Sequence, residues 1–472
     1  MNHGYLNLAK TVEVNPQNPW STLELEQHDY EGMYLINNSA TTSKISKRTW
    51  AVMIALAVTG QIAWAVENTW FNTFVFDTIT PDPRPVSWMV VASAIIATIT
   101  TIFIGTLSDR TRAKWGRRKP YILFGYILWG VMTALFPTTA LIKNISLAIM
   151  MVVLLDCLMT FFGSTANDAA FNAWTADVAP ADQRGRVEGV LSLSLFIAQL
   201  VAIVAAGALI DSVGYFVFFY VLGGIVMVVG LLAGGALPDQ PSDNLPRSEK
   251  GIWQEIRELF RVQTLRDNSK LFVILISAML LGIGFQVAFP YMIIYINNFI
   301  GVSKTEYAIV GGAVIIGSAI AAIPLGILAD KINKRLKMAI SIVLTCLGCF
   351  AFSFVRTIPL LALAGLAWQM SNMSASIAAM AWLKDLLPEE SRGRFLGIRM
   401  IFLVLVPMLI GPGIGSALIR SFGIPTVLNG QTGFIPVPLI FQVGAVLGLL
   451  ALIPLAFIRS DKMHSGNEEQ NA

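Results

Sequence analysis

Apolar stretches long enough to cross a lipid bilayer recur twelve times along the chain, and short polar turns separate them. A membrane-spanning helix needs about 20 mostly apolar residues. The stretches lie near residues 50–75, 86–108, 121–140, 146–174, 189–210, 214–236, 271–297, 307–329, 338–355, 358–382, 397–419 and 437–458. The pattern predicts an all-α polytopic membrane protein with twelve transmembrane helices.

Composition agrees with this pattern and excludes other classes of protein. Hydrophobic residues make up 55% of the 472 residues, and charged residues make up 13%, whereas soluble domains carry roughly 25% charged residues. A soluble enzyme, a disordered chain and a nucleic-acid-binding protein are therefore excluded. The three cysteines lie inside apolar stretches, so we expect no disulfide framework, no metal site and no cofactor.

The Lys and Arg residues are strongly biased to one side of the predicted topology. If the N-terminal tail counts as side one, that side carries 28 of the 33 Lys and Arg residues. Cytoplasmic loops carry such an excess. We therefore expect both termini in the cytoplasm of a protein that crosses the cell membrane many times.

A charged stretch near the middle divides the chain into two halves of six spans each. The predicted organisation is a cytoplasmic tail (1–48), a first six-helix half (49–237), a cytoplasmic linker (238–270), a second six-helix half (271–459) and a C-terminal tail (460–472). The linker contains a predicted amphipathic helix around Trp253–Leu265, which we interpret as lying on the membrane surface.

The two halves share sequence patterns in matching loops. Residues 177–189 and 385–397 have Asp, Pro, Arg, Gly, Arg and Gly at the same positions, offset by 208 residues. Residues 105–110 and 326–331 share a Gly, an Asp and a following basic residue. Two related six-helix halves indicate a pseudo-twofold axis along the membrane normal, a central cavity and transport by alternating access.

The charged residues of these loops lie at the cytoplasmic ends of the predicted helices. Carboxylates that face Arg side chains form charge-assisted hydrogen bonds, and such pairs can hold the cytoplasmic side shut. The alternative is that the basic residues only set the topology. The predicted cytoplasmic gate consists of Asp109, Arg110, Arg117, Arg118, Asp177, Arg184, Arg186, Asp330, Lys331, Asp385, Arg392 and Arg394.

Three strings in the first half resemble a known family. Residues 105–120, which end in Trp-Gly-Arg-Arg-Lys-Pro, resemble the signature loop of the major facilitator superfamily. The long form of this loop, the loop at 177–186 and the string from Gly60 to Asn68 are similar to those of the glycoside–pentoside–hexuronide cation symporters and the sucrose/proton symporters. The resemblance covers about residues 49–460 and implies a secondary transporter.

Polar residues inside the first and fourth spans are the main candidates for a transport site, because such residues are costly in a bilayer. Glu67, Asp156 and Asp168 are the acids that we place well inside spans, and we expect them to couple transport to an ion. A buried carboxyl can bind and release a proton, or hold Na⁺ with neighbouring oxygens. The alternative is a carboxyl group that is protonated and joins two helices by a hydrogen bond.

Amides and aromatic rings in both halves suit an uncharged, hydroxylated ligand such as a sugar. Hydrogen bonding between helices is the alternative for each of these polar side chains. The predicted substrate-binding residues are Gln61, Trp64, Asn68, Asn72, Asn167, Asn172, Gln286, Tyr291, Trp368, Gln369 and Asn372.

Two departures from the related symporters refine the prediction. Melibiose-type sodium symporters carry acids on the second span, and this second span has none, which favours H⁺ over Na⁺. Plant-type sucrose carriers have an Arg where this chain has Asn172, so sucrose is not the expected substrate.

We therefore predict a monomeric, proton-coupled sugar or glycoside symporter in the lipid bilayer, and not an enzyme. The alternatives are a sodium-coupled sugar symporter, a carrier of lysolipids or other amphiphiles, and a membrane sensor that does not transport.

Overall fold

The computed structural model describes residues 45–180, 182–238, 269–331, 333–386 and 398–457. The predicted amphipathic helix of the linker and both tails apart from residues 45–48 lie outside these ranges, so the predicted domain boundaries stay predictions. The described helices are α1 (Lys47–Ile79), α2 (Arg84–Arg110), α3 (Lys119–Leu141), α4 (Ile145–Val178), α5 and α6 (together Arg184–Gly234), α7 (Ser269–Ile300), α8 (Lys304–Lys331), α9 (Lys334–Phe352), α10 (Ile358–Leu386), α11 (Ile398–Phe422) and α12 (Leu439–Ala456).

The helices correspond to the twelve apolar stretches. Ten helical segments of the described ranges are long and apolar enough to cross a membrane. One of them, Arg184–Gly234, has 51 residues and covers two predicted spans. Gly214 interrupts it with φ 79° and ψ 171°, a conformation that glycine adopts without strain. The parts before and after this glycine are α5 and α6, and the predicted fold class is confirmed.

Short polar side chains begin several helices by accepting hydrogen bonds from backbone N–H groups that lack an intrahelical partner. Ser46 caps α1 through the backbone N–H of Thr49 at 3.1 Å. Asn144 caps α4 through Leu147 N at 3.1 Å. These caps fix where α1 and α4 begin.

Two of the helices that line the first half contain π-helical turns. In α1 these turns are Glu67–Phe71 and Val75–Ile79, and in α4 the turn is Ser164–Phe171. A π-turn widens the helix and changes the direction of the following side chains, and such turns are frequent at functional sites. A regular helical spacing of about 100° per residue therefore does not hold along the full length of these helices.

Glycine pairs allow helices within each half to approach closely. A Cβ added at Gly130 of α3 would lie 2.5 Å from the carbonyl oxygen of Gly223 on α6. In the second half, a Cβ on Gly284 of α7 would overlap the carbonyl oxygen of Gly444 on α12. Small residues at such contacts let helix backbones pack against each other in a membrane.

Several pairs of helices join the two halves in the described ranges. α2 packs against α11, and the α5–α6 segment packs against α8. In addition, residues 72–74 of α1 contact residues 289–295 of α7. We call the end of the bundle with residues 110–118 and 179–183 the near end, and the end with residues 77–84, 211–215, 301–305 and 423–438 the far end.

A β-hairpin lies between α11 and α12 at the far end, and the sequence interpretation missed it. Strands β1 (Ile424–Leu428) and β2 (Gln431–Ile435) pair antiparallel, with Ile424 opposite Ile435. Asn429 and Gly430 form the turn, with φ values of 52° and 74°. Asn-Gly is the preferred dipeptide for this kind of two-residue turn, so the signal was present in the sequence.

Candidate functional site

A buried polar cluster joins three helices of the first half. Glu67 on α1, Ser93 on α2, and Asp156 and Thr160 on α4 are each at most 6% exposed. The Thr160 hydroxyl donates to Glu67 Oε1 at 2.9 Å, and the Ser93 hydroxyl lies 3.2 Å from the same oxygen. The two hydroxyls are 2.9 Å apart, and Ser93 also lies beside Asp156. We call these four residues the acid cluster.

The acid cluster contains carboxylate oxygens whose hydrogen-bonding capacity is unused. Glu67 Oε2 and Asp156 Oδ1 are buried, and neither has a hydrogen-bond partner among the described residues. The described part of the chain also pairs no Lys, Arg or His with either carboxyl group. Buried charges are normally paired or neutralised, so this arrangement can take up a proton or a small cation.

A second polar group surrounds Asp168 in the π-helical turn of α4. Asp168 Oδ2 accepts from the Ser164 hydroxyl at 3.1 Å, and Oδ1 lies 3.3 Å from Asn167 Nδ2. The Tyr126 hydroxyl of α3 lies 3.1 Å from Asn167 Oδ1 and 2.8 Å from the Leu56 carbonyl oxygen. The predicted polar residues of α4 therefore fall into two groups, one at Asp156 and one at Asp168.

Two tryptophan rings lie close to this second group. Trp64 of α1 and Trp129 of α3 have ring centroids 5.0 Å apart at an interplanar angle of 50°. Trp129 Nε1 is buried and has no hydrogen-bond partner among the described residues. The Trp64 indole N–H lies near the Asp168 carboxyl group, but the two groups do not have the geometry of a normal hydrogen bond. Indole rings of this kind provide apolar faces next to hydrogen-bond donors.

The remaining predicted residues of the first half lie along α1 and α4. Asn68 and Asn72 donate their side-chain N–H groups to backbone carbonyls of their own helix, at 2.8 and 3.2 Å. Asn72 Oδ1 is buried without a partner in the described ranges. Gln61 is half-buried, and Asn172 is exposed with Nδ2 3.2 Å from the Asp168 carbonyl oxygen.

The predicted residues of the second half are more dispersed. The Tyr291 hydroxyl lies 3.0 Å from the Pro412 carbonyl oxygen and 3.3 Å from the Pro83 carbonyl oxygen, so it joins α7 to α11 and to the α1–α2 turn. Trp368 packs in an aromatic group with Phe352 and Phe441. Three residues keep polar groups available: half-buried Gln286, whose Oε1 has no partner in the described ranges, exposed Gln369 and half-buried Asn372.

At the near end, the structure brings four predicted gate residues into one network. Arg118 is 3% exposed and donates to the Ser108 hydroxyl, to Asp109 and, from Nε at 3.3 Å, to Asp177. Arg117 pairs with Asp177 at 2.7 Å. All of these residues belong to the first half, so this described network fastens α2, α3 and α4 to one another.

The other predicted gate residues have different surroundings or lie outside the description. Arg186 lies over the ring of Trp50 at 5.3 Å. Arg184 is exposed, and Arg110 interacts with a neighbouring group. No side-chain structure is described for Asp330, Lys331, Asp385, Arg392 and Arg394.

Sequence reasoning missed Ser93, Tyr126 and Trp129. Ser93 interrupts an otherwise apolar part of the second span, and this isolated polar residue was the available signal. Tyr126 and Trp129 are three residues apart and therefore share a helix face. Nothing in the local pattern indicated that this face points to α1 and α4.

Comparisons with known proteins agree with this architecture. A family model described as Major Facilitator Superfamily matches residues 49–299 and 274–472. A search of curated proteins returned no match. Among solved structures, a variant of the nucleoside transporter NupG is similar with a TM-score of 0.69 and 14% identity, over 86% of this chain and 100% of that chain. A bacterial homologue of the human lysosomal transporter Spinster, inward-facing and unoccupied, has a TM-score of 0.63 and 14% identity, over 87% and 95% of the two chains.

Proposed function

The chain belongs to the major facilitator superfamily, and from that premise we propose that it is a proton-coupled symporter for the uptake of an uncharged sugar or glycoside. The membership makes it a multi-pass membrane transporter of small molecules and not an enzyme. Within the superfamily, the loop and first-span strings favour the glycoside–pentoside–hexuronide cation symporters and the sucrose/proton symporters.

The observation that carries the proposal is the acid cluster. The Ser93 hydroxyl lies beside both the Glu67 and the Asp156 carboxyl groups, the Thr160 hydroxyl bonds Glu67, and one oxygen of each carboxyl is unpartnered in the described ranges. Like charges held this close in a nonpolar interior cannot both remain ionised at low cost. A proton bound by the Glu67–Asp156 pair removes this repulsion, and its release restores the charge. Asp168 lies in the neighbouring group and is the third candidate for coupling.

The substrate side of the proposal rests on the groups around Asp168 and Trp64. The Trp64 and Trp129 rings offer apolar faces, and Asn167 and Asp168 offer donors and acceptors nearby. Pyranose rings have one apolar and one hydroxylated aspect, which aromatic faces and carboxylate or amide groups complement. In the second half, the free oxygen of Gln286 and the amide of Asn372 are candidates for contacts from the opposite side.

A sodium-coupled symporter is the second candidate, and the same cluster favours it. Glu67 Oε2, Asp156 Oδ1 and the two hydroxyls together form an oxygen donor set, and hard cations prefer oxygen ligands. Melibiose-type sodium symporters carry acids on the second span, and this second span has none, so we propose the proton as the coupling ion.

In the proposed cycle, the two halves rock around the site and expose it to one side of the membrane at a time. The bias of Lys and Arg supports termini in the cytoplasm of a cell-membrane protein. The near end then faces the cytoplasm and the far end faces the outside. We propose the monomer as the transporting unit, because one chain supplies both six-helix halves.

The test is uptake by the purified protein in proteoliposomes, with a panel of labelled monosaccharides, disaccharides and nucleosides. Nucleosides belong in the panel because one similar structure is a nucleoside transporter. An imposed pH gradient is expected to drive accumulation of a sugar, and Asp156→Asn is expected to abolish it. The exposed near-end variant Glu188→Gln is the matched control.

The other outcomes separate the alternatives. Accumulation that follows only a Na⁺ gradient would replace the proton by sodium. If no sugar accumulates under either gradient, while a labelled lysolipid is exchanged, the carrier is one for amphiphiles and the sugar proposal is wrong.

A further inference from the structure

The β1–β2 hairpin touches the turn between α1 and α2, which belongs to the opposite half. The backbone N–H of Phe434 donates to the Pro81 carbonyl oxygen at 3.1 Å. The side-chain amide of Asn429 donates to the Asp77 carbonyl oxygen at 3.0 Å. At Gly433, the two backbones are so close that an added Cβ would overlap the Pro81 carbonyl group. The hairpin thus forms a close-fitting contact between the halves.

Asp77 also makes an ion pair between the halves beside the hairpin. Asp77 Oδ2 lies 2.9 Å from Lys304 Nζ and accepts from the Tyr215 hydroxyl at 2.7 Å. The ammonium group of Lys304 lies 5.2 Å from the centre of the Tyr215 ring. The Asp77 and Lys304 side chains are 22% and 21% exposed, so water reaches the pair but does not surround it.

A third contact at the far end caps a helix of one half with an acid of the other. Asp211, at the end of α5, accepts from Thr305 N at 2.8 Å and from the Thr305 hydroxyl at 2.7 Å. A carboxylate in this position satisfies backbone donors of the first turn of α8 and complements the helix dipole. Asp77 and Asp211 of the first half thus contact Lys304 and Thr305 of the second half.

We propose that the β1–β2 hairpin and the Asp77–Lys304 pair form a clasp that holds the far end shut and must release each time that end opens. The hairpin follows α11 directly after Gly423 and precedes α12 by three residues, so it moves with the second half. The α1–α2 turn is four residues long and moves with the first half. Separation of the halves at this end therefore breaks all of these contacts together.

The chemistry of the clasp suits repeated opening. Hydrogen bonds and ion pairs that are partly exposed to water are individually weak, because water replaces the lost partner. The contact at Gly433 is different, since it depends on shape and excludes even one methyl group. The clasp thus combines reversible polar contacts with a strict steric fit.

The inference does not depend on which solute or ion is carried, so its test uses distances between spin labels rather than uptake. The labels replace Leu141 in the first half and Phe422 in the second, both at the far end and 68% and 62% exposed. They are placed in a variant whose three cysteines, Cys157, Cys346 and Cys349, are replaced by Ala, reconstituted in lipid nanodiscs.

Gly433→Ala is expected to raise the ratio of long to short label distances by roughly threefold or more. Asn429→Ala is expected to raise the same ratio by a smaller factor. Gly413→Ala is the matched control, because an added Cβ there has no atom within 4 Å, and it should leave the distribution unchanged. Size-exclusion profiles and melting temperatures establish that each variant is folded.

Well-folded Gly433→Ala and Asn429→Ala variants with the same distance distribution as Gly413→Ala would overturn the clasp. If Gly433→Ala fails to fold, the ratio of long to short label distances is measured in Asn429→Ala and Asp77→Asn instead. An unchanged ratio in both would overturn the clasp. If the label distances shift but no sugar is taken up, the clasp is supported and the proposed substrate is wrong.

Discussion

The Thr160 hydroxyl on α4 donates a 2.9 Å hydrogen bond to the Glu67 carboxylate on α1. Ser93 on α2 lies within hydrogen-bond distance of both groups. Three helices are thereby joined at a carboxyl group whose second oxygen has no partner in the described ranges. A change of charge at Glu67 therefore alters the contacts of all three helices, which is what the coupling of an ion to helix movement requires.

Glu67→Gln should uncouple transport from the proton gradient. The amide keeps the size of the side chain but cannot release a proton or carry the negative charge. We expect gradient-driven accumulation to fall about 5- to 150-fold, the factor that corresponds to typical coupling free energies. Exchange of labelled for unlabelled substrate in the absence of a gradient should persist. Exposed Glu188→Gln is the control. Equal accumulation by wild type and Glu67→Gln would remove Glu67 from the coupling site.

Thr160→Val should destabilise the acid cluster, because it removes the hydroxyl but keeps the shape. An unsatisfied buried polar group costs about 1–3 kcal/mol, so we expect the free energy of unfolding to fall by an amount of that order. Thermal unfolding in detergent measures this change. Thr160→Ser should restore most of the lost free energy. Thr101→Val is the control, since in the described ranges the Thr101 hydroxyl bonds the Ala97 carbonyl oxygen of its own helix and no other helix. A serine variant as unstable as the valine variant would show that the methyl group matters and the hydroxyl does not.

Gly130→Ala should separate α3 from α6. The added Cβ would lie 2.5 Å from the Gly223 carbonyl oxygen and 2.6 Å from the Met227 nitrogen, and backbone atoms of this kind cannot rotate away. Overpacking typically costs about 1–3 kcal/mol. Gly224→Ala on α6 is the control, because an added Cβ there meets nothing within 4 Å. Similar melting temperatures for both variants would contradict this tight contact.

Arg118→Lys should weaken the near-end network although it preserves the charge. The planar guanidinium contacts Ser108, Asp109 and Asp177 at once, and an ammonium group cannot reproduce that geometry. We expect a several-fold lower transport rate, because hydrogen bonds to charged groups contribute about 1.5–3 kcal/mol. Lys114→Arg, at an exposed position of the same loop, is the control. Unchanged transport and stability in Arg118→Lys would show that only the charge is needed.

Asp82 should give a pH-dependent contribution to stability at the far end. Partial burial opposes its charge, but hydrogen bonds from the Arg84 side chain and backbone, together with the charges of Arg84 and Arg420, outweigh burial and lower the pKa of Asp82. A lowered pKa stabilises the folded protein at pH values above the ordinary pKa of 3.8, and this contribution is lost as pH falls through the folded pKa.

Asp82→Asn should therefore lower the melting temperature relative to wild type at about pH 7, and this difference should shrink by about pH 3. The measurement is thermal unfolding across that pH range in the same detergent. A difference that stays constant with pH would mean that Asp82 acts through its shape and not through its charge.

The apolar stretches were sufficient to predict the helices, because a bilayer accepts backbone only when its polar groups are bonded internally. The helical residues Glu67, Asp156 and Asp168 could be selected for the same reason, since ionisable residues inside a span are rare. Ser93 was indicated only by its isolation in an apolar part of the second span, and Trp129 by nothing in the local pattern, because serine and tryptophan are ordinary in membrane helices. Their roles arise from α2 and α3 packing against α1 and α4, which no local pattern encodes.

What the sequence determined by itself is thus the number of helices, the two related halves and the charges of the near-end loops, all of which follow from the local cost of placing each residue in lipid or in water. Only the tertiary structure decided that the polar residues of α4 fall into two groups, because Ser93 of α2 lies beside Asp156, while Tyr126 of α3 contacts Asn167, the neighbour of Asp168. It also decided that the Asn429–Gly430 hairpin closes on the turn at Pro81, more than 340 residues earlier in the chain. Contacts over such a separation depend on how the two halves dock, and docking is a property of the whole packed surface rather than of any segment.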